Sequence, residues 1–593
     1  MAETLISPGV LARENDQSFI GGVPVTYGAA IIGPAVKGPV GIPTAIASYS
    51  QYQAIFGGSV ESGSQFYTYL SSIAASNYFS QGGESLLVTR VVTGSFTGAV
   101  TSGSTAAANN SGIITTGFTN NGGGGPQDLG FGKTAFQLKT ISEGAIMNNY
   151  QAADSAGNTL TEGNADNLRW EVSNINTSSG QFSLLIRRGN DTKNQKAVLE
   201  TFTNVSMDPT ATNYVGAVIG DSYATVESDA GEYYVQTNGS YPNRSAYVYV
   251  SAVNTPTPEY FDNNGTAKDI YTGSLPQIGS GSFTDATGNN IENNDAEFNQ
   301  NITAANIQGI GPNDYTESIS LLGNQDQYQF NVISTPGLIY SLHPAQVNLI
   351  VSLAQTRTDC VSVIDLVTFG STVNSVVTQA SAFDTSYSAT YWPWLQTIDA
   401  STAQTVWVPP STYIPGVYAF TDASSDPWFA PAGLIRGSLG SVVRAERQLT
   451  SGNRDSLYEA NINPIATFPG SGIVVFGQKT LQKKASALDR VNVRRLLISL
   501  KSYISQVSNN LVFEQNTIAT RNNFLAQVNP YLESVQQRQG LYAFKVVMDE
   551  TNNTPDVVDR NQLIGQIYLQ PTKTAEFIIL DFNVLPTGAT FPE

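Results

Sequence analysis

The chain leaves one structural pattern and comes back to it, and this limits its folds more than any other feature. Residues 23–95 mix strand-like and helix-like pieces. VTYGAAIIGPAVKGPVG alternates strand formers with Gly and Pro turns, and ESLLVTRVV is a buried-strand pattern. Residues 345–510 resume that mixture. AQVNLIVSL and DCVSVIDLV read as buried strands, followed by YWPWLQTI, VWVPPSTYIPGVYAFTD, WFAPAG and PGSGIVVFGQKT. The residues between are different. A chain that departs from α/β ground near 95 and re-enters it near 345 is read as a nested insertion whose two flanks share one core. At 593 residues a single core is too small, and about three or four domains are expected.

Within the interruption, residues 96–130 are rich in Gly, Asn, Ser and Thr and read as an outer insertion with little packing. Gly122 to Gly125 do not form a phosphate cradle in the sequence pattern, since no strand leads in and no Lys-Ser/Thr helix leads out. Residues 131–344 are mostly β, with strands expected in TAFQLKTI, LRWEVSNI, QFSLLIRR and SAYVYVSAV. One helix-like run, NNDAEFNQNITAANIQGI, interrupts them, and the Asn/Gly/Thr/Pro-rich stretch 253–300 is expected on the outside. Before the interruption, Phe66, Tyr69, Leu70, Ile73, Asn77 and Tyr78 recur at helical spacing, with Gly82 and Gly83 as the stop.

The last hundred residues form a further unit. A helix begins at NVRRLLISLKSYI and a second ends at QRQGLY. Strands LYAFKVVMDE, GQIYLQP and TAEFIILDFNV follow. The last puts Ile578, Leu580, Phe582 and Val584 on one face and Phe577 and Ile579 on the other, so it needs cover on both sides. Lying at the chain end, it is free to pair at home or with another subunit. At the other end, residues 1–20 form a polar arm with a Pro8-Gly9 turn and a short strand candidate in VLARE. It is either a loose terminus or a strand given to a neighbour.

Composition excludes several functions. The net charge of −18 argues against nucleic-acid binding, which needs a dense basic face. One cysteine, Cys360, allows no internal disulfide. One histidine, His343, with one cysteine rules out the common His- and Cys-built zinc sites, and no GxSxG elbow accompanies His343. Residues 470–480, GSGIVVFGQKT, miss a P-loop because Gln478 separates Gly477 from Lys479. Neither catalysis nor a cofactor is expected. MAETLISPGV lacks a basic n-region and an apolar h-region, so no signal peptide is expected. No apolar run reaches about 18 residues, so no membrane helix is expected. The expected compartment is the cytoplasm in which the chain is made.

One charge feature stands apart. Lys479, Lys483, Lys484, Arg490, Arg494, Arg495 and Lys501 lie within 23 residues whose only acid is Asp489. That is +6, against −24 for the rest of the chain. Asn492 is the candidate N-cap of the helix there. Arg494 and Arg495 then fall in its first turn, where the helix dipole disfavours cations. A residue placed against its local preference has a reason elsewhere. Two readings follow: a solvated face with local ion pairs, or a helix that docks on an acidic protein surface. The opposite face carries Leu496, Leu497, Leu500, Ile504 and Val507 at core spacing.

Several segments, in order along nearly the whole chain, resemble the tail sheath family of contractile-tailed bacteriophages. They are SPGVLARENDQS, GAAIIGPAVKGPVGIPTAIASYSQYQAIFGG, LETFTNVSMDPTATNYV, YWPWL, VPPSTYIPGVYAFTD, WFAPAG, NVRRLLISL and the closing GLYAFKVVMDETNNTP with IYLQPTKTAEFIILDFNV. The segment 96–130 matches no pattern of the family. The resemblance implies a multidomain α+β and α/β fold with nested insertions: an arm (1–22) that joins a C-terminal strand-exchange domain (511–593), a middle α/β core (23–95 with 345–510), and outward insertions (96–130 and 131–344). It implies a non-enzymatic subunit that forms six-membered rings stacked around a tail tube and contracts to drive the tube through a host envelope. It also implies strand exchange through Val10, Leu11, Ala12, Arg13, Phe577, Ile578, Ile579, Leu580, Phe582 and Val584, around a home strand containing Phe544 and Val546, and a basic helix facing the tube. The implied partners are copies of itself, a tail tube protein, a baseplate and tail terminator or neck proteins. Nucleic acid and inserted membrane are not among them. The implied place is the virion tail, assembled in the host cytoplasm. The alternatives are the sheath of a phage-derived injection particle or bacteriocin and, in another class, a static fibre or adhesin.

Overall fold

The computed structural model describes residues 27–62, 65–101, 134–148, 163–192, 194–289 and 298–576. The N-terminal arm, including Val10, Leu11, Ala12 and Arg13, lies outside the described residues, as do Phe577, Ile578, Ile579, Leu580, Phe582 and Val584 of the expected terminal strand.

Eight strands form the central sheet, in the order Thr44–Ile46, Leu86–Arg90, Tyr27–Gly33, Phe330–Ile339, Val361–Asp365, Ser388–Trp392, Asn463–Phe468, Gly472–Val475. The inner six run parallel, and the outer strand on each side is antiparallel. Parallel strands need cover on both faces. Helices supply it, and Ala29–Ile32, Leu86–Val88, Val361, Val363 and Ile364 are all buried. The chain leaves the sheet after Leu86–Arg90 and returns at Phe330–Ile339, with Tyr27–Gly33 paired between the two, so the excursion starts and ends in one sheet.

The structure differs from the sequence reading in several places. AQVNLIVSL is not a strand. It lies in the helix Pro344–Arg357, with Pro at its first turn and Thr358 closing it in the left-handed conformation at φ +60. Val347, Ile350, Val351 and Ala354 are its buried apolar residues, and their spacing is helical. A short apolar run does not separate the two periods. Phe330–Ile339 belongs to the central sheet, so the α/β core resumes before residue 345. Phe66 sits in a strand, Gln65–Thr68, and the helix starts later, at Leu70. Residues 298–310 form a 3-10 turn at Asn299–Asn301 and a bridge between Ile307 and Ile310, not an α-helix.

The inserted part has its own core. Four strands pair in the order Val198–Ser206, Gln181–Arg188, Leu168–Asn176, Gly279–Ser282, and three in the order Val248–Val253, Phe136–Glu143, Gly98–Val100. The last strand corrects the 96–130 boundary, because Gly98–Val100 is part of this packed sheet. Trp170, Phe136, Phe182, Leu184 and Val248 fill the interior. Charge is buried here as well. The Asp191 carboxylate accepts from Arg187 Nε at 2.7 Å, Arg187 Nη2 at 2.9 Å and Arg169 Nη1 at 3.0 Å. Arg187 also reaches Glu171 at 2.7 Å. The inserted part is fastened to the α/β core by Arg90, whose Nη1 donates to Gly38 O at 2.6 Å and Glu143 O at 2.8 Å, and by a Lys37–Asp166 ion pair at 2.9 Å.

The C-terminal unit consists of helices Val491–Asn509 and Ile518–Gln537 and the hairpin Leu541–Val547 with Gln566–Pro571. Leu496, Leu500, Val507, Phe524, Val528 and Leu532 make its core. The first of these helices therefore packs with this unit, which begins near 491 rather than at 511. Trp428 joins it to the α/β core, its indole N–H donating to Arg538 O at 3.0 Å.

Candidate assembly interface

The structure divides the seven cations of the basic segment into internal partners and exposed side chains. Helix Val491–Asn509 starts one residue before the expected cap. Arg490 holds the cap position with no side-chain cap bond, and Asn492 instead donates from Nδ2 to Trp428 O at 3.2 Å. Its first turns are wedged between the α/β core and the second helix, so Arg494 and Arg495 are buried, at 4% and 3% exposure. The Arg494 guanidinium lies 3.9 Å from the centre of the Tyr387 ring and donates to Ser386 Oγ. Arg495 stacks on Tyr418 at 4.7 Å and pairs with Asp422, Nη2 to Oδ1 at 2.6 Å. Burial pulls the Arg494 pKa down, with Tyr387 opposing. These two arginines tie the helix to the chain's own core and present no cationic surface.

Lys479 is also committed. Its Nζ donates to Tyr458 O at 2.6 Å and sits over the Tyr458 ring. That disposes of the phosphate role for this lysine, and Gln478 beside it is buried. Lys483 is exposed, with its amine on Ser381 O at 2.7 Å. Lys484 and Lys501 are exposed and form no ion pair among the described residues.

Arg490 meets the chain end. Glu576 accepts from Arg490 Nε at 2.7 Å and Nη2 at 2.9 Å, from Tyr458 Oη at 2.6 Å and from Gln478 Nε2 at 3.0 Å. Asp489 pairs with Arg490 at 3.0 Å on its other side. Burial alone would raise the Glu576 carboxyl. The bonds from Arg490, Tyr458 and Gln478 outweigh it and hold the group below its ordinary 4.5. Neither Tyr458 nor Glu576 of this clasp is named by the sequence reading, and only Glu576 carries a local signal. The signal available was an acid placed at the start of an otherwise apolar terminal strand.

The direction of that shift fixes a pH dependence. A carboxylate whose pKa is depressed on folding contributes stability above its unfolded pKa, and loses it as pH falls through the lower folded value. The clasp is expected to hold at neutral pH and to open only below about pH 4.5. Lys479, Arg490, Tyr458 and Asp489 are the titratable groups around it. Hydrogen exchange at residues 572–576, corrected for its intrinsic pH dependence, should accelerate there and not near pH 6.

The hairpin is the other part of the interface. Leu541–Val547 and Gln566–Pro571 pair with each other, and neither has a second strand neighbour among the described residues. Phe544, Val546, Ile567 and Leu569 face the helices and are half-buried. Tyr542 and Tyr568 are exposed on the other side, at 65% and 56%. Two-stranded sheets are marginal alone, and unpaired edges accept added strands.

The residues weighed for chemistry are occupied. His343 is buried, its Nδ1 accepting from the Ile339 N–H at 3.1 Å and its Nε2 donating to Thr303 O at 2.9 Å. Burial lowers its pKa and favours the neutral ring. Cys360 is buried too, its thiol pushed up to about 12 by burial. Among the described residues, no group of three His, Cys, Asp or Glu could hold a metal ion, and no helix is long and apolar enough to cross a membrane.

Residues 308–481 match the phage tail sheath protein central domain, and residues 483–585 match the phage tail sheath C-terminal domain. The tail sheath protein of Vibrio phage KVP40 is 44% identical over 187 residues, covering 32% of this chain and 28% of that protein. The tail sheath protein of Enterobacteria phage T4 is 40% identical over the same length and coverage. That of Salmonella phage ViI is 30% identical over 284 residues, covering 46% of this chain and 44% of that one. The chain thus spans less than half the length of the curated relatives it matches. Among solved structures, the sheath tail protein of Listeria innocua aligns over 92% of this chain and 96% of its own, at 10% identity and TM-score 0.48.

Proposed function

We propose that this chain, whose residues 308–585 carry the central and C-terminal domains of the phage tail sheath family, is the repeating subunit of a contractile tail sheath. The observation that carries the reading is the C-terminal hairpin. It has a half-buried apolar face and two edges with no strand beside them among the described residues, next to a chain end whose sequence reads as a strand. Each backbone hydrogen bond is worth only about 0.5–1.5 kcal/mol net, but repeated around a ring and between rings such bonds make a continuous mesh. Terminal strands of adjacent subunits, 1–22 and 577–593, are the donors.

Rings of six subunits stack around a tail tube and join a baseplate at one end and terminator or neck proteins at the other. They assemble in the host cytoplasm and end in the virion tail. The charged groups left for the tube are Lys483, Lys484 and Lys501, since the arginines are used internally. Contraction is a movement of rigid cores past one another while the mesh keeps neighbours joined. It is powered by surface buried between subunits, and no nucleotide is turned over. Curated relatives at 40–44% identity come from phages, which favours a phage tail over a related injection particle.

Negative-stain electron microscopy of the purified chain at rising concentration tests the reading. Hollow tubes with sixfold end views are expected. Compact trimers or thin fibres would overturn it in favour of a static fibre protein.

A further inference from the structure

We propose that the Glu576 clasp is the mechanical root of the terminal arm: it delivers tension on that arm to the edge of the central sheet and to the start of helix Val491–Asn509, bypassing the hairpin. The proposal deepens the strand-exchange reading and rests on it. The partner is a second copy of this chain, pulling on the residues beyond 576.

The path of the chain carries the argument. After strand Gln566–Pro571, Thr572 is still held by the C-terminal unit, its N–H donating to Gly540 O at 3.2 Å and its Oγ1 to Gln539 O at 2.7 Å. Within four residues the chain has crossed to the α/β core. Thr574 Oγ1 accepts from Gln478 Nε2 at 2.7 Å, and Glu576 takes the four bonds given above. The receiving residues are not on the hairpin. Gln478 follows the outermost sheet strand, Gly472–Val475, and Tyr458 lies at the end of helix Ser451–Glu459 beside the next strand, Asn463–Phe468. Arg490 is the cap residue of the arginine helix.

The chemistry suits a link under load. A bidentate guanidinium–carboxylate pair is among the stronger and more directional contacts available. Its two parallel bonds must break together when pulled along the arm. Tyr458 and Gln478 add donors to both oxygens, so the carboxylate has no easy sideways exit. Arg490 in turn is braced by Asp489. The basic cluster thereby acquires a second use: it holds the chain's own exit.

Full-length Glu576→Gln and Arg490→Lys variants test this, the first removing the charge and the second keeping the charge but losing the fork. Hydrogen exchange of the unassembled chains is read at 572–576, and tube length after a fixed shear is read for the assembled ones. Both variants should exchange at least tenfold faster at 572–576, with 541–571 unchanged. Their tubes should form and then break at least several-fold shorter than unaltered tubes. Tubes of unchanged length despite faster exchange would overturn the proposal, reducing the clasp to a local contact. Unchanged exchange would overturn it by showing that the clasp does not restrain the arm. A third variant, Ile578→Pro with Ile579→Pro, separates the two readings. If that chain still assembles normally, strand exchange itself has failed, whatever the clasp variants do.

Discussion

A full-length chain carrying Ile578→Pro and Ile579→Pro is expected to stay monomeric where the unaltered chain forms tubes, with its thermal unfolding unchanged. Proline lacks the N–H needed for a ladder bond and is tolerated in sheets only at edges and bulges. In an antiparallel pair, residues alternate between pointing their backbone groups at one neighbour and at the other. Two adjacent prolines therefore disrupt the strand whichever way it faces. A donated strand of about six residues contributes roughly 3–9 kcal/mol from its hydrogen bonds alone, before Ile578, Leu580 and Phe582 are buried. Losing even about 3 kcal/mol raises the critical concentration by roughly a hundredfold. Sedimentation across a concentration series measures this. A lower melting temperature would instead mean that the terminal strand pairs at home, on the hairpin containing Phe544 and Val546.

The unchanged melting temperature follows from where the cores lie. Among the described residues, Leu496, Leu500, Phe524, Val528 and Leu532 already close the C-terminal core. The hairpin covers that core with Phe544, Val546, Ile567 and Leu569 and offers its edges outward. A strand donated to a neighbour adds nothing to this core at home.

What could be read in the sequence depended on whether the signal was local. The helix Val491–Asn509 was legible because Leu496, Leu500 and Val507 repeat at its own period. The discomfort of Arg494 and Arg495 at its N-terminus was legible too. Their partners were not: Asp422, Ser386, Tyr387 and Tyr418 lie far back in the chain, and only the fold brings them near. The same holds for Glu576, whose meaning depends on Tyr458 and Gln478. For Pro344–Arg357 the local signal itself was ambiguous. Nine residues fit a buried strand, whereas the full turn pattern from Val347 to Ala354, with Pro344 before it, fits a helix. The 98–100 strand was hidden because three residues of a Gly/Ser/Thr-rich stretch carry no periodicity, and their pairing is set by Phe136–Glu143.

The largest expected loss of stability comes from Asp191→Ala, at about 3–5 kcal/mol, because it removes the carboxylate that two buried cations share. Arg169 and Asp191 have fully buried side chains, and that of Arg187 is 1% exposed, so water cannot take the carboxylate's place. Burial already works against the charge on Arg169, with the neighbouring Arg187 adding to it; Asp191 is the main opposing charge. Without Asp191 the two guanidiniums repel, and among the described residues Glu171 remains to offset part of their charge. Asp191→Asn keeps an acceptor and should cost less. Adding Arg169→Met to the alanine variant should recover part of the loss, since a cation is then removed along with its partner. The damage should be confined to the inserted part, whose core of Trp170, Leu184 and Val248 is separate from that of the central sheet. Calorimetry is then expected to show an early transition splitting from the main one. A single transition lowered as a whole would mean instead that Arg90 and the Lys37–Asp166 pair couple the two cores into one cooperative unit.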